Sequence, residues 1–383
     1  YTECTKTAGL RLERLFWLVK IRGNGYNKSD IRKRWEEHGY DQADRAGGRD
    51  LVQYGQHCFG RQGGRAEDQH CHAGKIFAAA ARLGYQPNMA ARSLRGGSGA
   101  NELVVAMFWA QDFRASMMLR FWDGLRAEIE KTARPVRLVI YPYVNDHLKE
   151  SEALTSGANC HAAIICNASY ADLQFLEDTQ LPIPVVLYNR VCNGYCSVNV
   201  DDLKMGALAA RAFADQGCKT AAVLTSSPVF EGMENRMHGF RLEGEHHGLT
   251  ILANRYCENS IRGGYDAVSH RLRHEWKQQL PDAVFCGSSA IAHGALRAFC
   301  EAGYIGEKLP RLIAVGNGPE ESDAFSIPSL SVVYLPMEDM ARECIQLVLG
   351  QLDGRIATAE SRLLPIEYIP RESCGPLTEY AAQ

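Results

Sequence analysis

Residues 103–143 read LVVAMFWAQDFRASMMLRFWDGLRAEIEKTARPVRLVIYPY. The run LVVAMFW (103–109) has no polar alternation, as a strand buried on both faces requires. MMLRFWDGLRAEIEK (117–131) has helical apolar spacing, and VRLVIYPY (136–143) is strand again. The unit is strand–helix–strand, and it recurs. Helices are expected over 148–157, 171–179, 203–216, 233–247, 263–279 and 290–302. Strands are expected over 162–168, 183–190, 220–227, 249–257, 283–288 and 311–317. Such alternation gives parallel sheets covered by helices, an α/β fold. The strands are too many for one comfortable sheet, so two α/β subdomains are expected. Ligands of such sheets bind beyond the carboxyl ends of the strands, which places a site in the cleft between the two.

The end of the first strand already suggests a pocket. FWAQDF (108–113) sets Trp109 and Phe113 around Gln111 and Asp112. Aromatic faces beside amide and carboxylate groups suit a sugar or nucleoside. The same residues equally suit core packing by Phe108 and Trp109 with Asp112 in a solvated loop.

Before residue 75 the pattern is lost. GGRDLVQYGQHCFGRQGGRAEDQHCHAGK (47–75) has no sustained period, although 10–21 and 29–38 could each form a helix. His57, Cys58, His70, Cys71 and His72 invite a zinc reading, but adjacent His–Cys pairs cannot easily share one ion. No metal and no cofactor are expected. The 383 residues are 46% hydrophobic and 23% charged with a formal net charge of −3, ordinary for a soluble chain and not globally basic. A local basic patch stays compatible with that average. No apolar run reaches the ~20 residues that span a bilayer. The N-terminus lacks a clean signal-peptide core and cleavage site. Thirteen cysteines, among them Cys166, Cys286, Cys300 and Cys344, sit in apolar elements and fit buried thiols in a reducing cytoplasm.

Between these regions lies IFAAAARLGYQPNMAARSLRGG (76–97), which closely resembles the headpiece–hinge junction of lactose/galactose-repressor (LacI/GalR) family regulators. In order after it come VVLYNR (185–190), SVNVDDLKMGALAARAF (197–213), ENRMHGFRLEGEHHGL (234–249), AHGALRAFCEAG (292–303), LIAVGN (312–317) and PSLSVVYLPMEDMAR (328–342). The resemblance runs from about Lys75 to Arg371. It implies a two-subdomain, type I periplasmic-binding-protein-like effector and dimerisation domain over 101–375, and a last headpiece helix plus hinge helix over 76–100. An irregular region, 1–75, precedes these and a tail, 376–383, follows. The family's helix-turn-helix is not recognisable in residues 1–75; a decayed, divergent or frame-shifted headpiece would each explain that.

The resemblance implies that the hinge helix orders on operator DNA. Leu94 would be the wedge in the minor groove, Arg92 and Arg95 would lie near phosphates, Ala91 with Ala90 would allow close approach, and Asn88 would hold the preceding turn. It implies effector contacts at Asn189, Arg236, Ser288 and Asn317, which join Trp109, Gln111 and Asp112. Ser288 and Ser289 stand where the family usually has Asn-Asp, and Gly318 takes the place of its usual Asp beside Asn317. No phosphate loop, G-x-S-x-G elbow or H-E-x-x-H motif is present, so no enzyme is expected. The expected protein is a cytoplasmic, homodimeric, effector-responsive repressor that binds operator DNA and senses a small polar metabolite such as a sugar, without membrane contact. The alternatives are a solute-binding protein sharing the cleft fold, or a sensor that has lost DNA binding.

Overall fold

The computed structural model describes residues 102–377 other than 113, 115, 116, 158, 253 and 254. The expected hinge helix, with Asn88, Ala91, Arg92, Leu94 and Arg95, the candidate zinc residues and Phe113 lie outside the described residues.

The first lobe begins β1 (Leu103–Ala110), α1 (Met118–Ile129), β2 (Val136–Tyr143), α2 (Glu152–Ser156), β3 (Ala162–Cys166), α3 (Tyr170–Glu177), β4 (Val185–Tyr188) and β5 (Cys196–Val200). The chain then crosses through α4 (Asp202–Asp215) to β6 (Thr220–Thr225), α5 (Glu231–His246), β7 (Thr250–Ile251), β8 (Arg255–Tyr256), α6 (Ile261–His274) and β9 (Ala283–Cys286). The second lobe continues with α7 (Ser289–Glu301), β10 (Arg311–Gly316), α8 (Glu320–Ala324) and β11 (Ser331–Tyr334). Finally α9 (Met337–Leu352) returns to the first lobe, β12 (Ser361–Leu364) joins its sheet, and β13 (Glu367–Ile369) joins the second.

The first sheet has the order β12-β5-β4-β3-β1-β2 and is parallel throughout. The second runs β13-β11-β10-β9-β6-β7, with β8 also on β6; β13 is its antiparallel edge. Two parallel-sheet subdomains are therefore what the chain builds. Some boundaries differ from the sequence pattern. The expected 249–257 strand is the two short pieces β7 and β8, and the expected 148–157 helix is a 3-10 turn (Leu148–Glu150) followed by α2. The helix expected to reach 279 stops at His274. There the Trp276 amide bonds back to the Arg271 carbonyl (2.7 Å), and its ring stacks on Phe299.

All eight residues of β1 are buried, as its unbroken apolar run requires. Val105, Met107 and Trp109 enter the inner core shared with α9, whereas Val104, Ala106 and Phe108 face an outer core. Cys166, Cys286 and Cys344 are fully buried thiols; Cys300 is half-buried. Helices α4 and α5 touch backbone to backbone. A β-carbon at Gly206 would strike the Arg236 carbonyl, and one at Gly239 would strike that of Leu203, so only glycine permits this approach.

One side chain ties the lobes together. Arg120 on α1 pairs with Glu338 at the start of α9 (2.6 Å), and donates to the carbonyls of Gly316 (3.1 Å), Gly318 (3.2 Å) and Leu335 (3.0 Å). Its guanidinium also lies over the Tyr334 ring, 4.8 Å from the centroid.

Candidate functional site

In each sheet the strand order reverses beside its first strand, between β1 and β3 and between β6 and β9. These are the switch points where α/β sheets leave a crevice at their carboxyl ends. The two crevices open on one cleft of about 430 Å³, its open mouth included. From the first lobe come Arg114 after β1, Asn167 after β3, and Asn189 with Arg190 after β4. The second lobe supplies Phe230, Arg236 on α5, Asn259 before α6, and Asn317 after β10.

Asn167 (φ 67°) and Asn189 (φ 49°) both adopt the left-handed conformation, which asparagine tolerates better than most residues. Each thereby ends its strand sharply. At Asn189 this breaks the strand's alternation, so Asn189 and Arg190 both reach the cleft.

Three guanidiniums surround the Phe230 ring, with Arg190 stacked 3.5 Å from its centroid and Arg236 and Arg114 at 5.8 and 6.0 Å. Their partners differ. Arg114 chelates Asp112 (Nε–Oδ2 2.9 Å) and donates to the Asn167 carbonyl (2.9 Å); the Asn145 amide braces the same carboxylate. Burial alone would raise the Asp112 pKa; Arg114 and Asn145 outweigh it and hold the carboxyl below its ordinary value. Arg236 pairs with Asp202 at 2.6 Å. Arg190 instead donates to two carbonyls, those of Ala168 and Asn189, each at 2.5 Å. Burial, with repulsion from Arg114, pushes its pKa down to about 9.

Of the residues expected from sequence, Asn189, Arg236 and Asn317 line the cleft together. Asp112 stands behind Arg114, and Gln111 is exposed with its backbone N–H donating to the Tyr143 carbonyl. Trp109 lies in the inner core against Phe121 (5.6 Å) and does not line the cleft, because odd-numbered β1 residues point inward. Ser288 caps α7, and its hydroxyl donates to Asn259 Oδ1 (2.6 Å), so it positions a lining amide. Ser289 donates to buried Asp323 (2.8 Å), which also meets His293 (3.0 Å). The aspartate sits between the other two, so the histidine cannot activate the serine. Sequence reasoning missed Arg114, Asn167, Arg190, Phe230 and Asn259. The motif YNR (188–190) was the available signal for Arg190.

A family model described as a periplasmic binding protein-like domain matches residues 210–374. A LacI family transcription regulator from Clostridium acetobutylicum, of known crystal structure, is 32% identical; the match covers 70% of this chain and 99% of that one, with a TM-score of 0.67. The chain belongs to the LacI family. Among curated LacI-type relatives, the ribose operon repressor of Bacillus subtilis (strain 168) is 25% identical over 310 residues, 78% of this chain and 88% of that protein. A LacI family regulator from Enterococcus faecium, crystallised with bound ribose, shares the fold at 19% identity and a TM-score of 0.60, covering 72% of this chain and 100% of that one. These relatives are transcription regulators. Among the described residues, no helix is long and apolar enough to cross a membrane, and no cluster of three or more histidine, cysteine or acidic side chains could hold a metal ion.

Proposed function

We propose that this LacI-family chain is a cytoplasmic, homodimeric repressor whose cleft takes a sugar or closely related polar metabolite. The observation that carries the reading is the meeting of forked guanidinium and amide groups from both lobes around one cleft, on Asn189, Arg236 and Asn317 together with Asn167 and Arg190. Amides and guanidinium forks match the paired hydroxyls of a sugar. The ribose bound by a protein of the same fold supports that choice. Effector binding would shift the lobe angle, and with it the spacing of two hinge helices and operator affinity. By linkage, operator DNA must change effector affinity by the same factor.

The test is a gel shift of the full chain on the promoter region beside its own gene, with and without a panel of sugars. A sugar-dependent shift supports the reading. If the chain binds that DNA identically whatever the sugar, while calorimetry finds sugar in the cleft, the coupling is wrong. In a chain with an intact helix-turn-helix, Leu94→Ala should weaken operator binding by a few kcal/mol and Leu94→Met by much less. Equal binding with Leu, Met or Ala at this position would remove the wedge.

A further inference from the structure

The charges in the cleft do not balance, and the imbalance is located on one residue. Arg114 is neutralised by Asp112, and Arg236 by Asp202. No carboxylate is among the residues lining the cleft. Arg190 is 5% exposed, has only neutral carbonyl acceptors for Nε and Nη1, and its Nη2 is buried without a hydrogen-bond partner. The charged groups that act on it most strongly are Arg114, Asp202 and Arg236, with the Tyr143 hydroxyl also near; the carboxylate among them already serves Arg236, and Glu234, near by through Tyr170, is bonded to the Tyr170 hydroxyl. Two more buried polar atoms at the same cleft, Asn167 Nδ2 and the Tyr188 hydroxyl, also have no partner.

A buried guanidinium facing two like charges is unfavourable unless a negative partner arrives. A neutral sugar supplies hydroxyl acceptors but no charge. Burial and Arg114 lower the Arg190 pKa only to about 9, so the group stays cationic at neutral pH.

We propose that the effector carries one acidic group, a carboxylate or a phosphate, seated on Arg190, with the rest of its polyhydroxylated body against Asn189, Arg236 and Asn317. The proposal rests on reading this cleft as the effector site. The anion would complete the Arg190 fork, accept from Asn167 Nδ2, and cancel the one positive charge that Asp112 and Asp202 leave over.

The test uses the purified full chain in thermal-shift and calorimetric titrations. Galacturonate and glucuronate probe the carboxylate source, glucose 6-phosphate and ribose 5-phosphate the phosphate source, and galactose, glucose and ribose are the neutral parents. At least one acid should bind ten times or more tightly than its neutral parent. Arg190→Gln should erase that preference, lowering acid affinity about tenfold to a hundredfold while leaving neutral sugars little changed. Arg190→Lys keeps the charge without the fork, so it should retain the preference at reduced affinity; it also covers the case in which Arg190→Gln does not fold. Neutral parents that bind as tightly as the acids would overturn the acidic-group proposal and leave the sugar-site reading intact. A preference that survives in Arg190→Gln would move the anion off Arg190. Failure of every acid and every neutral sugar to bind at millimolar concentration would overturn the cleft reading, and the proposal with it.

Discussion

The two walls of the cleft are built by the same device and carry different chemistry. Each is a row of residues at the carboxyl ends of parallel strands, set at a switch point. The first lobe contributes two arginines and two left-handed asparagines; its charge is concentrated where β1 and β4 end. The second contributes amides at Asn259 and Asn317, the Phe230 ring, and one arginine already engaged by Asp202. The first wall therefore presents uncompensated charge, and the second presents shape and neutral hydrogen bonds. Strand topology fixes where a site forms. The side chain just past each strand end decides what the site can hold.

Substitutions can break this contrast, and the largest effect is expected on the second wall. Arg236→Ala leaves the Asp202 carboxylate, only 11% exposed, without its partner and should destabilise the fold by ~2–3 kcal/mol, at or below the range for breaking a buried pair. Urea unfolding measures it, and adding Asp202→Asn should restore part of the loss. An Arg236→Ala chain as stable as the parent would mean that the pair contributes nothing. Gly206→Ala should cost about 2–3 kcal/mol by pushing α4 away from α5, the helix that carries Arg236. It should also weaken effector binding without touching the cleft. Thermal unfolding beside calorimetry separates the two effects.

On the first wall, Asn189→Ala should cost about 1 kcal/mol through the left-handed backbone, whereas Asn189→Gly should spare stability. Both remove the amide, so both should lose effector affinity equally if the side chain is what matters. The smallest effect is electrostatic. Asp112 is held below its ordinary pKa, so its contribution is complete above the unfolded carboxylate range and fades as pH falls through the lowered folded value. Melting temperatures of the parent and Asp112→Asn should differ at neutral pH and converge in acid. A gap independent of pH would show that Asp112 acts by shape alone.

Most of the fold was legible because its inner strands are buried on both faces; an apolar run such as 103–109 has no competing reading once helical runs alternate with it. The edge strands β12 and β13 were not legible. SRLL and EYI are too short and too polar to stand out, since an edge strand needs only one covered side. The site was half legible. Asn189, Arg236 and Asn317 follow from family motifs, whereas Trp109 was misleading: its aromatic ring fits a pocket and a core alike, and its odd position on β1 sends it inward. Arg190 escaped because strand alternation places it opposite Asn189; only the positive φ at Asn189 turns both toward the cleft.

Arg120 bears on how such a cleft could move. Its guanidinium binds Glu338 and three carbonyls at the strand ends beside the cleft. It is placed where a fulcrum would act. Rotation about it could preserve those bonds by small adjustments, but pulling the lobes apart would strip the three carbonyls from a desolvated charge at once. Torque applied by a ligand at one end of the lever would therefore be delivered as angular displacement at the other, with little lost to slack at the pivot. Loosening the fulcrum, as in Arg120→Met, should leave a ligand still bound and its message attenuated.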